Sequence, residues 1–191
     1  MSEPGGLRGV AFWPRAFARI IDLAFHYSVT AATGFFFGIM LVVAAGGRVA
    51  PQVLVRLRKA SVGGFLLVLL GSVAYEVICE AMHGSTFGKL LLGMVVVQED
   101  GAPCTPKAAI IRSFAYFVDG LFFGLIAYSA MSQSPQEQRL GDEWAGTVVC
   151  KKEDVPHESL RGLGRFALGL FFAILIDSGF AMLALLLKLN A

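Results

Sequence analysis

Pro14-Arg15-Ala16-Phe17-Ala18-Arg19-Ile20-Ile21-Asp22 opens the first long apolar run of the chain and sets three charged side chains inside it. Read as a helix, the stretch puts Arg15 and Asp22 two turns apart on one face, about 10 Å apart along the axis. Arg19 lies between them on that face, one turn from each. From Leu23 the run continues to about Gly46, long enough to cross a bilayer, so Asp22 is expected roughly a turn or two below the membrane surface. An ionisable group at that depth costs several kcal/mol unless it is paired, and it marks a functional site by default.

The whole chain fits that reading. Of its 191 residues 56% are hydrophobic and 16 are Phe, above the roughly 45–50% apolar content of soluble domains. A net charge of +2, with the basic residues scattered, excludes a nucleic-acid-binding protein. No apolar core of signal-peptide length precedes Arg15, so the first helix is expected to serve as its own insertion signal. Cys79, Cys104 and Cys150 are odd in number, with no CxxC spacing and no histidine placed to complete a zinc site, so free thiols are expected. Of the three histidines only His26, one turn after Asp22, shares the charged face, and a packed, hydrogen-bonded side chain is the expected role.

Three segments are long and apolar enough to span: Phe17 to about Gly46, Val62 to about Met82, and Leu163 to about Leu189. Ile110 to about Met131 is long enough but carries Asp119-Gly120 in its middle, and is expected either to span or to re-enter. Gly47 to Ser61, with Arg48, Arg56, Arg58 and Lys59, reads as an interfacial amphipathic stretch. Leu91 to Gln98 and Gly146 to Lys152 read as two short strands, each too small to be stable alone, so pairing with each other is expected. That pairing needs both on one side of the membrane. If Ile110–Met131 spans, the basic residues divide almost evenly between the two sides. If it dips and returns, Arg139, Lys151, Lys152, Arg161 and Arg165 join the N-terminal side and the division becomes eleven to five, which places the N-terminus in the cytoplasm by the positive-inside rule.

Gly84-Ser85-Thr86-Phe87-Gly88-Lys89-Leu90 looks like a phosphate-binding loop and fails as one. Three residues rather than four separate its glycines, and Leu90 stands where a Ser or Thr would bind magnesium. There is no Gly-x-Ser-x-Gly elbow, no HExxH and no paired histidine ligands, so no enzyme, cofactor or metal site is expected. Leu140-Gly141-Asp142 shares Gly-Asp with intramembrane aspartyl proteases, but Arg139 stands where their motif needs a glycine. One internal echo stands out. Arg15-Ala-Phe-Ala-Arg-Ile-Ile-Asp22 aligns with Arg112-Ser-Phe-Ala-Tyr-Phe-Val-Asp119, although two helices independently anchored by an arginine would give the same match.

Arg15 and Asp22, then Gly84-x-Thr86-x-Gly88-Lys89-x-x-x-Gly93-x-x-Val96-Val97 with Asp100-Gly101, then Arg112, then Gln138-Arg139-Leu140-Gly141-Asp142-x-x-Ala145-Gly146-Thr147-Val148-Val149 together resemble the RDD family of bacterial membrane proteins. The arginine and two aspartates that name the family match Arg15, Asp22 and Asp142. The resemblance covers about residues 10–152 and implies a membrane domain over 1–152, leaving a polar linker at 153–162 and an additional transmembrane helix at 163–191. Asp177, in that last helix, has no counterpart in the family pattern. The implied location is the bacterial plasma membrane, multi-pass.

The expected fold is therefore all-α and polytopic: three transmembrane helices, a fourth spanning or re-entrant segment, and a small two-stranded β element on the cytoplasmic side. The second helix ends at the depth of Asp22 and carries Glu76 and Glu80 one turn apart. Three carboxylates are thus expected to converge with Arg15 and Arg19, with Arg139 and Asp142 within reach if the hairpin forms. Gly88 and Lys89 read as a turn and a carbonyl or headgroup contact. A carboxylate raised toward neutrality by burial can trade a proton for a cation, whereas one clamped by arginine only locks helices together. The family's activity is largely unresolved, with some members linked to monovalent cation/proton exchange, so one expectation is a small exchanger of Na+, Li+ or K+ for protons; four helices barely enclose a path, so it would work as a homo-oligomer. The alternative is a non-catalytic accessory or scaffold subunit of a membrane complex.

Overall fold

Residues 7–48, 50–59 and 61–190 are described by the computed structural model. Each strongly apolar run forms one long helix: α1 (Phe12–Ala44), α3 (Val62–His83) and α8 (Leu163–Asn190). All three exceed the roughly 20 residues a bilayer requires, and their outward faces are lined with exposed large apolar side chains such as Phe35, Phe65 and Phe171. A lipid-facing helix needs no polar face, which is why these apolar side chains stay unburied. The basic stretch between α1 and α3 forms the short helix α2 (Pro51–Arg58), whose Arg56 donates to the Leu189 carbonyl near the end of α8.

Local chemistry fixes the other boundaries. The Ser61 hydroxyl accepts from the Gly64 N–H to start α3, and Gly84, at φ +83°, ends it in the left-handed conformation that a side chain would oppose. A single turn of helix, α4 (Phe87–Leu91), leads into β1 (Met94–Gln98). Thr105 caps α5 (Pro106–Asp119) through the Ala108 N–H, with Pro106 preset for the first helical position. The apolar run then breaks after Asp119. α6 (Leu121–Gln133) departs from the α5 axis by 112°, with Phe122 and Gly124 both at positive φ in the bend. A second single-turn helix, α7 (Leu140–Ala145), leads into β2 (Thr147–Lys151).

The two strands pair antiparallel about Val96↔Val149. The bent α5–α6 pair therefore leaves one small sheet and returns to it, the geometry of the re-entrant reading. Both sheet faces are covered, by Ala18, Cys104, Ala108 and Ala109 on one side and by Val155, Leu7 and Leu160 on the other. That is why these strands read as unbroken valine runs and not as alternating patterns. α8 lies against α3 with glycines at the closest approaches: Gly71 of α3 faces Asp177, and Gly169 of α8 faces Met82.

Candidate functional site

The charged residues of the first apolar stretch do not pair with each other. Arg15 turns toward the sheet, where it donates to one oxygen of Asp142 (2.5 Å), to the Glu137 carbonyl (2.7 Å) and to the Val10 carbonyl (2.7 Å). Asp22 points across to α3 and α4: one oxygen accepts the Tyr75 hydroxyl (2.8 Å) and the Gly88 N–H (2.7 Å), the other the Thr86 hydroxyl (2.6 Å). Two residues two turns apart on one helix face share that face without meeting, because each finds a nearer partner on a different element.

Asp142 is the hub. Fully buried, it receives Arg15 on one oxygen and both Arg112 and Arg139 on the other. Burial alone would raise its pKa, but the guanidiniums of Arg112, Arg139 and Arg15 together hold it well below the usual carboxylate range. Arg112, itself almost fully buried, reaches on to Glu80 (2.9 Å) and the Thr147 hydroxyl (2.9 Å). Glu80 also takes the Lys89 ammonium (3.0 Å). Lys89 therefore faces inward instead of meeting a headgroup; burial would lower its pKa, and the Glu80 charge reverses this to a net rise. Lys89 donates to the same Thr86 hydroxyl that serves Asp22, so one connected polar chain runs from Asp22 through Lys89, Glu80 and Arg112 to Asp142 and Arg15. Glu76 stands one turn deeper and pairs with Arg19 alone.

The internal echo proves to be spatial. Gly88 at the start of α4 seats its N–H on Asp22, and Gly141 at the start of α7 seats its N–H on Asp119 (3.3 Å). A Cβ on Gly88 would collide with the Ala18 carbonyl, and a Cβ on Gly141 with the Ala115 methyl. Ser85 donates to the Met94 carbonyl (2.7 Å) and Gln138 to the Thr147 carbonyl (2.9 Å). Thr86 and Arg139 occupy the N-cap positions of α4 and α7, and Gly93 and Gly146 precede the strands at φ +66° and +60°. Every loop and strand pair in this series is separated by one constant interval, as are the helix pairs Arg15/Arg112, Ala18/Ala115 and Asp22/Asp119 by another. The sheet register, Met94↔Lys151 through Gln98↔Thr147, is symmetric about the same relation. α1–α3–α4–β1 and α5–α6–α7–β2 are thus two versions of one unit related by an approximate two-fold axis through the sheet.

The two units are not equal at their aspartates. Asp22 has both oxygens occupied, whereas Asp119 uses only one, toward Gly141 and Arg139 (3.5 Å), and its other oxygen is buried with no partner among the described residues. One terminal nitrogen of Arg139 and the Ser113 hydroxyl are buried and unpartnered in the same way. All three residues line a cavity of about 520 Å³ between α1, α3, α5 and α6, within the range of small-ligand sites. Tyr116 forms part of its wall, with the guanidinium of Arg139 3.6 Å and that of Arg19 4.6 Å from its ring centre. Arg15, Arg19, Lys89, Arg112 and Arg139 line the cavity against only two carboxylates, Glu76 and Asp119; the remaining wall is mostly apolar.

A second buried pair lies deeper. The Nδ1 of His26 lies 3.2 Å from Asp177 between α1 and α8, both side chains buried, but the two atoms do not meet in hydrogen-bond geometry. Among the described residues no group of three or more His, Cys, Asp or Glu is arranged to hold a metal ion.

Arg15, Arg112, Asp119, Arg139, Asp142, Glu80 and Lys89 therefore share one cluster, Arg19 and Glu76 flank it, and Asp22 with Gly88 closes its edge. Gly84 ends α3 and takes no part in it. Tyr75 and Tyr116 were not singled out in the sequence, and Thr86 and Thr147 stood in its motif blocks without a role. Thr86 had a signal, standing between the glycines of the motif, whereas the tyrosines sit in apolar runs with nothing to mark them. Fold and cluster together define a polytopic membrane protein whose helices are locked at one end by buried arginine–carboxylate pairs. The chain matches the RDD family over residues 10–146 and belongs to it. No curated protein and no solved structure matches it.

Proposed function

We propose that this protein is a small membrane carrier, not an enzyme, and that the cavity between α1, α3, α5 and α6 is its ligand site. One observation carries the reading. Nearly every charge in the cluster is matched, yet a buried guanidinium nitrogen of Arg139 and a buried oxygen of Asp119 are left without partners where the cavity begins. Unpartnered buried polar groups cost about 1–3 kcal/mol each, a cost a fold retains where a ligand or water completes the site. The eleven-to-five division of basic residues supports a plasma-membrane protein with its N-terminus and sheet in the cytoplasm. One cavity among four helical segments is a narrow path, so transport would use a homo-oligomer.

Monovalent cation/proton exchange is supported in one form only. Asp22, Glu76, Glu80 and Asp142 are each held by cations or by three donors; among the cluster's acids Asp119, held by Arg139 on one oxygen only, is the one with an unpartnered oxygen left to trade a proton for Na+, Li+ or K+. Native mass spectrometry of protein extracted in a neutral detergent tests the carrier reading. A co-purifying small molecule is expected on the wild type and not on Ala127→Phe, which fills the cavity wall; the same bare mass for both would refute it. Cation-dependent proton flux in liposomes that is abolished by Asp119→Asn would establish the exchange form. A bare cavity together with no flux would leave the accessory-subunit reading.

A further inference from the structure

Resting on that ligand site, we infer that its occupant is an amphipathic anion, a phosphate or carboxylate head on an aliphatic tail, whose head is held by Arg139 and Arg19 beside Tyr116. Head and tail follow from separate observations.

The head must be anionic because the free hydrogen-bonding capacity at the cavity floor is cationic. Arg139 is only 5% exposed, holds Asp142 and Asp119 through its Nε, and keeps one terminal nitrogen unpartnered at the cavity. Arg19 spends one nitrogen on Glu76 and remains 28% exposed. Both guanidiniums lie over the Tyr116 ring, 3.6 and 4.6 Å from its centre. An anion at the cavity wall they share gains charge-assisted hydrogen bonds from them, whereas a cation finds no acceptor in a guanidinium. Asp119 also faces this space, and a phosphate monoester or carboxylic acid can share a proton with its unpartnered oxygen.

The tail must be apolar because the rest of the wall is. Ile20 and Phe117 line the cavity and are yet 60% and 48% exposed, so its mouth opens on the surface that faces lipid, not on the sheet side. Arg19 lies near the start of α1, at the depth of a lipid headgroup, and Leu23 and Leu69 continue the wall deeper. A ligand arriving from the bilayer would keep its tail in hydrocarbon while the head reaches the guanidiniums. A free anion would enter against an apolar mouth.

The test uses the full-length protein in a neutral maltoside detergent, titrated with dodecyl phosphate, dodecyltrimethylammonium and inorganic phosphate and followed by thermal melting and native mass spectrometry. Dodecyl phosphate is expected to raise the melting temperature and appear as a bound mass, with the cationic analogue inert and inorganic phosphate weaker by about tenfold or more. Arg139→Gln and Arg19→Gln should each weaken dodecyl phosphate about tenfold, the value of one charge-assisted hydrogen bond. Because Arg139 also holds Asp142, Arg19→Gln and Ala127→Phe carry the test if Arg139→Gln fails to fold. Equal binding of the cationic analogue would overturn the anion assignment and leave the ligand site standing. Inorganic phosphate binding as tightly as dodecyl phosphate would overturn the tail. No binding of any probe, with wild type and Ala127→Phe indistinguishable, would overturn both the inference and the site beneath it.

Discussion

The first unit, α1–α3–α4–β1, and the second, α5–α6–α7–β2, place the same parts around one sheet and use them differently. In the first the helical hairpin is long enough to span, its aspartate is fully satisfied by Tyr75, Thr86 and Gly88, and the residue after its seating glycine is Lys89. In the second the hairpin is short and bent, its aspartate is half satisfied, and the residue after its seating glycine is Asp142. The opposite charges at Lys89 and Asp142 let one cluster close across the axis: Asp142 binds the arginines of both units, and Lys89 neutralises Glu80 beside Arg112. One copy supplies anchorage and the other supplies the opening. A bilayer-deep hairpin in the second position would occupy the space that its bend leaves as the cavity.

The comparison breaks first at Asp142. Asp142→Leu leaves three guanidiniums buried without their common anion, and losing one partner of a buried pair already costs about 3–5 kcal/mol. Almost no monodisperse folded protein is expected by size-exclusion chromatography; wild-type recovery would show that the cluster is not what holds the units together. A cycle makes the pairing specific. Arg15→Leu should lose most of its additional effect in the milder Asp142→Asn background, whereas Arg15→Leu and Asp22→Leu, joined only through the length of the network, should couple far less.

The symmetry itself is tested by its two seating glycines. Gly88→Ala and Gly141→Ala each force a methyl into the facing helix, and overpacking of this kind costs about 1–3 kcal/mol. Similar drops in melting temperature are expected for the two; a neutral Gly141→Ala would show that α7 is not held as α4 is.

A smaller effect separates the two aspartates. Asp22→Asn keeps the shape but disturbs three hydrogen bonds to a buried carboxylate, a loss of about 1–3 kcal/mol. Asp119→Asn replaces an oxygen that has no partner and should shift the melting temperature less. Equal shifts would mean that Asp119 is as tightly held as Asp22, and the exchange form would lose its acid.

The smallest effect is in pH. The pKa of Asp142 is depressed in the folded protein, so its contribution is fully present above the ordinary aspartate value of about 3.9 and is lost only as pH falls toward the folded value. The difference in melting temperature between wild type and Asp142→Asn in detergent, which isolates this contribution, should stay nearly flat from about pH 8 to pH 5 and shrink below about pH 4. A rise in melting temperature as pH falls from about 7 to 6 would reveal a carboxylate raised to near neutrality, because such a group binds its proton first in the folded state, the property that proton exchange needs.

The RDD blocks and the long apolar runs were legible because they are local. Hydrophobicity over about 20 residues decides that α1, α3 and α8 are buried in lipid whatever they touch. The caps Ser61, Gly84 and Thr105 also act within a turn of themselves, although nothing read from the sequence singled them out as caps. The two valine strands and their pairing were legible too, because short strands have few ways to satisfy their edges. The sequence by itself therefore determined the membrane class, the long apolar helices, the two strands and the weak echo between Arg15–Asp22 and Arg112–Asp119, but not the single-turn helices α4 and α7.

Which charge meets which was decided by tertiary structure. Shared helix faces brought Arg15 and Asp22 under one reading, yet α7 delivers Asp142 to Arg15 while α4 delivers Thr86 and Gly88 to Asp22. The reason is physical: an ion pair in a low-dielectric interior depends on a few ångströms of separation, and those are set by how distant segments dock. The same docking brings Arg139 and Asp119 to the wall of one cavity, a placement that no spacing along the chain encodes.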